Sequence, residues 1–195
     1  MKRLHGSVVA AIMTVALAGC GGLQEMWSGP DAATFKPRTI AVLPPIVGAY
    51  EGAREEAQLA MVNALQKTGT FEKVLSADEV NGAIGLNKAN GDLLVGYLAR
   101  LETLGTSDAE TAAKLSTLLQ ADALVIVKVN AWEYAKQEGD KFGKVGLGAR
   151  VVDGKKGSIV WKGRDERRST YLIFKPVLKD LAVDLSDSLV KYMPK

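Results

Sequence analysis

Cysteine and histidine carry much of the nucleophilic, general-base and metal-binding chemistry open to a protein, and this chain has one of each, Cys20 and His5. A Ser-His-acid or Cys-His constellation needs both partners, and zinc or haem sites draw on the same side chains. Both residues lie in the first twenty positions, in a segment whose pattern reads as removed or modified. The rest of the chain then has neither an imidazole nor a free thiol. That excludes His-dependent hydrolysis, Cys-His catalysis, zinc on His or Cys, haem on His, and disulfides. Carboxylate or lysine chemistry stays open. Asp184 and Asp187 stand at helical spacing, but on the solvent side of the last predicted helix, where such acids are ordinarily solvated. No Gly-x-Gly-x-x-Gly or phosphate loop occurs. Gly146-Leu147-Gly148 sits in a strand pattern without the helix a phosphate cradle needs. The expectation is a non-enzymatic protein with no cofactor and no metal.

The N-terminus supplies the one modification chemistry the sequence signals. Met1-Lys2-Arg3-Leu4-His5 is a short basic start, and Gly6 to Ala18 is apolar or small and uncharged. This is the layout of a secretory signal peptide, and it is shorter than the ~20 apolar residues a membrane span requires. Leu17-Ala18-Gly19-Cys20 resembles the bacterial lipobox, which implies cleavage before Cys20 and acylation of that residue, palmitate-type chains included. The alternatives are a secreted protein with an incidental cysteine or a poor membrane-spanning helix. Gly21 follows where inner-membrane retention would favour Asp, so the resemblance implies sorting to the outer membrane, with the domain facing the periplasm.

The chain of 195 residues is 47% hydrophobic and 24% charged, normal for one globular domain. Its formal net charge is +3, and loss of Lys2 and Arg3 with the signal leaves 23 basic against 22 acidic side chains. A near-neutral protein has no nucleic-acid footprint. The expected divisions are 1–19 signal, 20–37 lipidated tether and 38–195 periplasmic domain. The stretch from Gly21 to Pro37 reads as plain linker, the alternative being that Trp27 and Phe35 pack on the domain or dip into the lipid interface.

Thr39 to Leu43 is a continuous apolar run stopped by Pro44-Pro45, which predicts a strand buried on both faces. Glu51 to Lys67 has one apolar helical face. Phe71 to Leu75 reads as a second strand. Ser76-Ala77-Asp78-Glu79 and Ser107-Asp108-Ala109-Glu110 are capping-box patterns that open helices. Between them Asn87 to Gly91 reads as a break, with helical periodicity resuming over Asp92 to Leu104. Ala123 to Val127 is a core strand continuing toward Tyr134. Phe142 to Val152 returns as a hairpin, and Ser158 to Gly163 returns again. A helix from about Lys175 closes the chain, with Leu178, Leu181, Ala182, Leu185, Leu189 and Tyr192 in one stripe. The fold class expected is α/β (α+β): a mixed β-sheet from a β-α-β crossover plus an antiparallel meander, flanked by helices, with the C-terminal helix packed on the sheet.

Three segments in this order resemble a known group: Ile40-Ala41-Val42-Leu43-Pro44-Pro45, Leu119 to Val125, and Ala149 to Gly163, the last similar to a common R-L-V-D-x-x-T-G-x-x-L-W-x-G segment. The chain from about Lys36 to its end is similar to bacterial lipoproteins with a CsgG-like or TolB-amino-terminal-like α/β domain, closest to their small single-domain members. The resemblance implies a component of envelope assembly or export. Members of the group include a curli export channel, the PelC type that rings the periplasmic side of a polysaccharide exporter, and the LpoB type that activates a peptidoglycan synthase. Asn130 to Val145 is too short and too charged for a membrane-inserted hairpin, so a pore is not expected.

Two features stand out as possible sites. Trp132 and Tyr134 share one strand face and either form a protein interface or pack beneath a helix. Arg164, Arg167 and Arg168, just past the last predicted strand, either make an anionic-ligand patch or are a solvated strand end. The functional expectation is a lipid-anchored periplasmic scaffold or accessory subunit at the outer membrane. Its partners would be the membrane through acyl chains on Cys20, other envelope proteins, and copies of itself in a dimer or ring. The alternative is an LpoB-like activator of a peptidoglycan synthase, which a tether of seventeen residues, under ~60 Å fully stretched, does not favour.

Overall fold

The computed structural model describes residues 22–195; the expected signal at 1–19 and the lipidation at Cys20 lie outside them. Six strands form one mixed sheet in the order β1-β6-β5-β4-β2-β3. They are β1 Glu25–Ser28, β2 Thr39–Val42, β3 Lys73–Val74, β4 Ala123–Gln137, β5 Asp140–Asp153 and β6 Ile159–Tyr171. The helices are α1 Arg54–Lys67, α2 Ala77–Gly85, α3 Lys88–Leu104, α4 Ala109–Leu119 and α5 Leu178–Lys191. β2 pairs in parallel with β3 and β4, while β4, β5, β6 and β1 pair antiparallel. The mixed sheet, the crossover and the closing helix are those expected from the sequence.

The chain crosses from β2 to β3 through α1, then back past β2 to β4 through α2, α3 and α4. Crossovers of one hand that travel in opposite directions must lie on opposite faces of the sheet. The core divides accordingly. Ile40 and Val42 of β2 join α1 and α5 in one cluster, whereas Ala41 and the following Leu43 join α2, α3 and α4 in the other. Buried on both sides, β2 has no room for alternation, which is why it reads as a continuous apolar run.

Local chemistry sets the helix starts. Ser76 accepts from the Glu79 amide while the Glu79 carboxylate accepts from the Ser76 amide, so the expected capping box opens α2. Lys73 sits 2.9 Å from the same Glu79 carboxylate, and these bonds hold its pKa down at about 2. The second box is not formed as expected. Asp108 caps α4 through the Thr111 amide, and Ser107 instead pairs with the Tyr97 hydroxyl at 2.8 Å. The expected break at 87–91 is also shorter, because Asn87 caps α3 through the Asn90 amide and Gly91 falls inside the helix. α5 begins at Leu178 rather than near Lys175, since Pro176 disfavours helical geometry in the residue before it.

Two further expectations change. The strand expected to end at Gly163 runs on to Tyr171, because β5 carries the antiparallel ladder that far. Within the stretch read as linker, Glu25–Ser28 pairs with β6 at the sheet edge, and Phe35 packs on the core. The four residues of β1 are all exposed, so no hydrophobic alternation marked them as strand.

Asp122 ties β2 to β4. Its carboxylate accepts from the Arg38 and Thr39 amides, both at 3.0 Å, and its own backbone bonds Thr39 and Gly154. Those amides lower its pKa below the usual carboxylate value. Because the folded-state pKa is lowered, the stabilisation is present above the ordinary carboxylate pKa and lost as pH falls through the folded one. Asp122→Ala should lose about 1–2 kcal/mol of stability at pH 7, read by urea unfolding. The gap between variant and parent should narrow as pH drops below about 4.

Candidate functional site

The two faces of the sheet are covered unequally. Against α1 and α5 the meander contributes Val125, Val127, Val129, Val145, Leu147, Ala149, Val151, Val160 and Trp161 to the core. On the other face, α2, α3 and α4 bury only Leu124, Ile126 and Val152 of it, with Ile159 partly buried beside them. Beyond Ile126 that face carries polar side chains, and a cleft of about 440 Å³ opens there.

Register builds the cleft as two rows running across four strands. Directly opposed residues on antiparallel strands share a face. Ile126, Arg150, Lys162 and Trp27 make one row, and Lys128, Gly148, Arg164 and Glu25 the next. Gly148 leaves its place in the second row empty, and the cleft lies between Lys128 and Arg164. Arg150 directly opposite Lys162 is a like-charge pair, which is unfavourable by itself. Each cation has a local partner. Arg150 donates to the Leu101 carbonyl in the last turn of α3 at 3.2 Å, where the helix dipole favours a cation. Lys162 lies 4.9 Å from the centre of the Trp27 ring. Lys128 pairs with Glu102 at 2.7 Å, and Arg164 with Glu25 at 3.4 Å. This arrangement holds four cations around a concave floor beside a half-exposed indole. It can bind an anionic group.

The arginines singled out in the sequence do not form one patch. All three lie inside β6, where alternation separates them. Arg164 faces the cleft. Arg168 is on the same face but farther along, with its guanidinium over the Phe142 ring and bonded to Gln137 at 3.2 Å. Arg167 points to the opposite face, where it pairs with the buried Asp165 and donates to Ser188 at 2.8 Å. Trp132 is half-buried against the α1/α5 core. Tyr134, on the same face, is 41% exposed, and its hydroxyl donates to the Pro176 carbonyl at 2.7 Å. Asp187 is bound to Lys67 at 2.6 Å, and Asp184 stands exposed beside it. Cys20 lies outside the described residues.

Sequence reasoning missed Lys128 and Lys162, and it read Arg150 only as strand structure. The one local signal was Lys162 and Arg164 two apart on β6; Lys128 and Arg150 join them only through the strand register. Among the described residues no cluster of His, Cys, Asp or Glu could hold a metal ion, and no helix is long and apolar enough to cross a membrane.

No family model matches the sequence, and no curated protein matches it. Solved structures with the same fold do exist. A PelC dodecamer from Paraburkholderia phytofirmans is 16% identical, with 88% of this chain and 96% of that one covered at a TM-score of 0.54. Lipoprotein GNA1162 from Neisseria meningitidis is 19% identical, with 80% and 99% covered at 0.54. The LpoB C-terminal domain from Salmonella enterica is 15% identical, with 68% and 83% covered, and its TM-score of 0.42 is too low to carry an argument. At these identities the likeness establishes the fold.

The split of the three arginines has a measurable consequence. Arg167→Ala leaves the carboxylate of Asp165 buried and unpaired and should cost about 2–4 kcal/mol. Arg164→Ala and Arg168→Ala remove exposed charges and should each cost under about 1 kcal/mol. Chemical denaturation of the three variants separates these outcomes.

Proposed function

We propose that this chain is a lipid-anchored, non-enzymatic accessory or scaffold subunit of an envelope assembly or export system, held through Cys20 on the periplasmic side of the outer membrane. The observation that carries the reading is the shared fold, over nearly its whole length, with a PelC dodecamer and a lipoprotein. The signal and lipobox pattern at the N-terminus supports the same reading.

The mechanism would be placement. Acyl chains confine the domain to a surface, which raises its effective concentration near partners there. The leash is shorter than the linker reading allowed. With Glu25 already paired to Arg164, five residue steps separate Cys20 from the sheet, under about 18 Å fully stretched. That length suits a subunit working at its own membrane. It weakens the alternative of an activator reaching across the periplasm to a peptidoglycan synthase. The cationic cleft would then meet an anionic group of a partner or cargo, and copies of the chain would assemble as a dimer or ring.

Cys20→Ser should move the protein from the membrane pellet to the soluble fraction and remove the acyl mass from its N-terminus. An N-terminus of the membrane-extracted protein that carries no acyl mass at Cys20 would sink the anchor. Light scattering of the detergent-extracted, acylated protein then reads its assembly. A single large uniform particle supports a ring, and a monomer excludes self-assembly as its mode of action.

A further inference from the structure

Between β6 and α5 the chain exposes three consecutive apolar side chains. Leu172, Ile173 and Phe174 are 92%, 82% and 87% exposed, and Val177 follows at 56%. Exposed apolar residues are ordinary when scattered; a contiguous group on one loop marks a surface that something covers. We propose that this loop enters the same bilayer that holds the acyl chains of Cys20, giving the domain a second membrane contact and a fixed orientation.

The loop is built to hold that position. Its base is packed: the Pro176 ring lies so close to Gly143 that a Cβ there would come within 2.7 Å of it. The Tyr134 hydroxyl holds the Pro176 carbonyl, Tyr171 meets Tyr134 edge-to-face at 6.1 Å, and Leu178 is buried. The tip residues are left in solvent, so their exposure is imposed by a fixed loop base.

The surroundings match a membrane interface. Tyr134 and Tyr171 sit behind the apolar tip, where amphipathic rings favour the headgroup level. Lys175 lies 4.7 Å from the centre of the Tyr134 ring, and the adjoining β4–β5 tip exposes Lys136 and Lys141 together with Glu138 and Asp140. A lysine flanked by apolar side chains can keep its ammonium at the headgroups while its stem lies against the acyl boundary.

The direction of the chain selects the bilayer over another protein as occupant. β1 is antiparallel to β6, so residues ahead of Glu25 enter from the end of the sheet toward which β6 runs. β6 travels about 23 Å from Arg164 to Tyr171 at strand rise, and the leash from Glu25 to Cys20 spans up to about 18 Å. An anchor at Cys20 and the tip at Phe174 therefore lie toward the same end of the sheet, with the tip extending at least about 5 Å beyond a fully stretched leash. This orientation rests on the lipid-anchor reading above; the apolar tip does not.

The test uses the full acylated chain, in which Phe174→Cys supplies the only free thiol. An environment-sensitive fluorophore there is compared with one at exposed Lys155→Cys, on the turn between β5 and β6, in phosphatidylethanolamine–phosphatidylglycerol vesicles. Quenching by nitroxide lipids at position 174 should exceed that at 155 by at least threefold. Equal quenching by aqueous iodide at both positions overturns the proposal. So does shielding of position 174 that rises with protein concentration in detergent without vesicles, because a second copy then covers the loop. Mass measurement of the N-terminus reports on the anchor separately. If acylation is absent, Cys20→Ser with Phe174→Cys decides the loop alone: a blue shift with added vesicles upholds it, and no shift overturns it.

Discussion

Everything distinctive about this molecule follows from a mismatch in length between its sheet and its helices. β4, β5 and β6 are long strands of a meander, while the crossover helices α2, α3 and α4 cover only the end of that meander nearest β2. A strand face without a helix above it cannot carry Val and Leu into water, so alternate positions beyond Ile126 are mostly charged or small, and Phe142 there lies beneath the Arg168 guanidinium. The opposite face of the same strands is covered by α5, and there the alternation stays apolar up to Asp165 and Arg167, which enter as a pair. One sheet thus has a packed face and an open, cationic one. The cleft is what the open face looks like where Gly148 contributes no side chain.

The two edges of the sheet are managed by brevity. β3 is two residues long and β1 four. Short, exposed edges offer little template for another strand. β6 beyond Arg164 and β4 beyond Val129 nevertheless run on with one side unpaired. β1 does more than cap an edge. By pairing with β6 it draws the N-terminal chain onto the domain and shortens the distance between the fold and any anchor at Cys20. It also lays Trp27 beside Lys162, so that β1 forms one wall of the cleft.

The two ends of the molecule differ in kind. At the β2 end, Asp122, Asp153 and Gly157 knit turns to strands through backbone hydrogen bonds, and the helices close over them. At the other end the strands outrun their cover, and the chain presents a charged hairpin tip beside an apolar loop. A packed end keeps the fold, and an unsatisfied end is available for something else to satisfy.

Read without coordinates, the sequence determined the elements whose signals are local. These are the two-sided β2 run ending at Pro44-Pro45, the Ser76–Glu79 box, the apolar stripe of α5, and the absence of His and free Cys beyond the N-terminal segment. Each depends on residues within a few positions of one another. Tertiary structure alone decided what depends on register. Arg164, Arg167 and Arg168 look like one patch along the chain, yet a period of two sends Arg167 to the packed face. Lys128, Arg150 and Lys162 look unrelated along the chain, yet pairing brings them to one cleft. β1 has no apolar alternation of its own, so only its ladder with β6 makes it a strand. Cross-strand neighbours are chosen by hydrogen-bond register between segments far apart in sequence, and no local spacing encodes that choice.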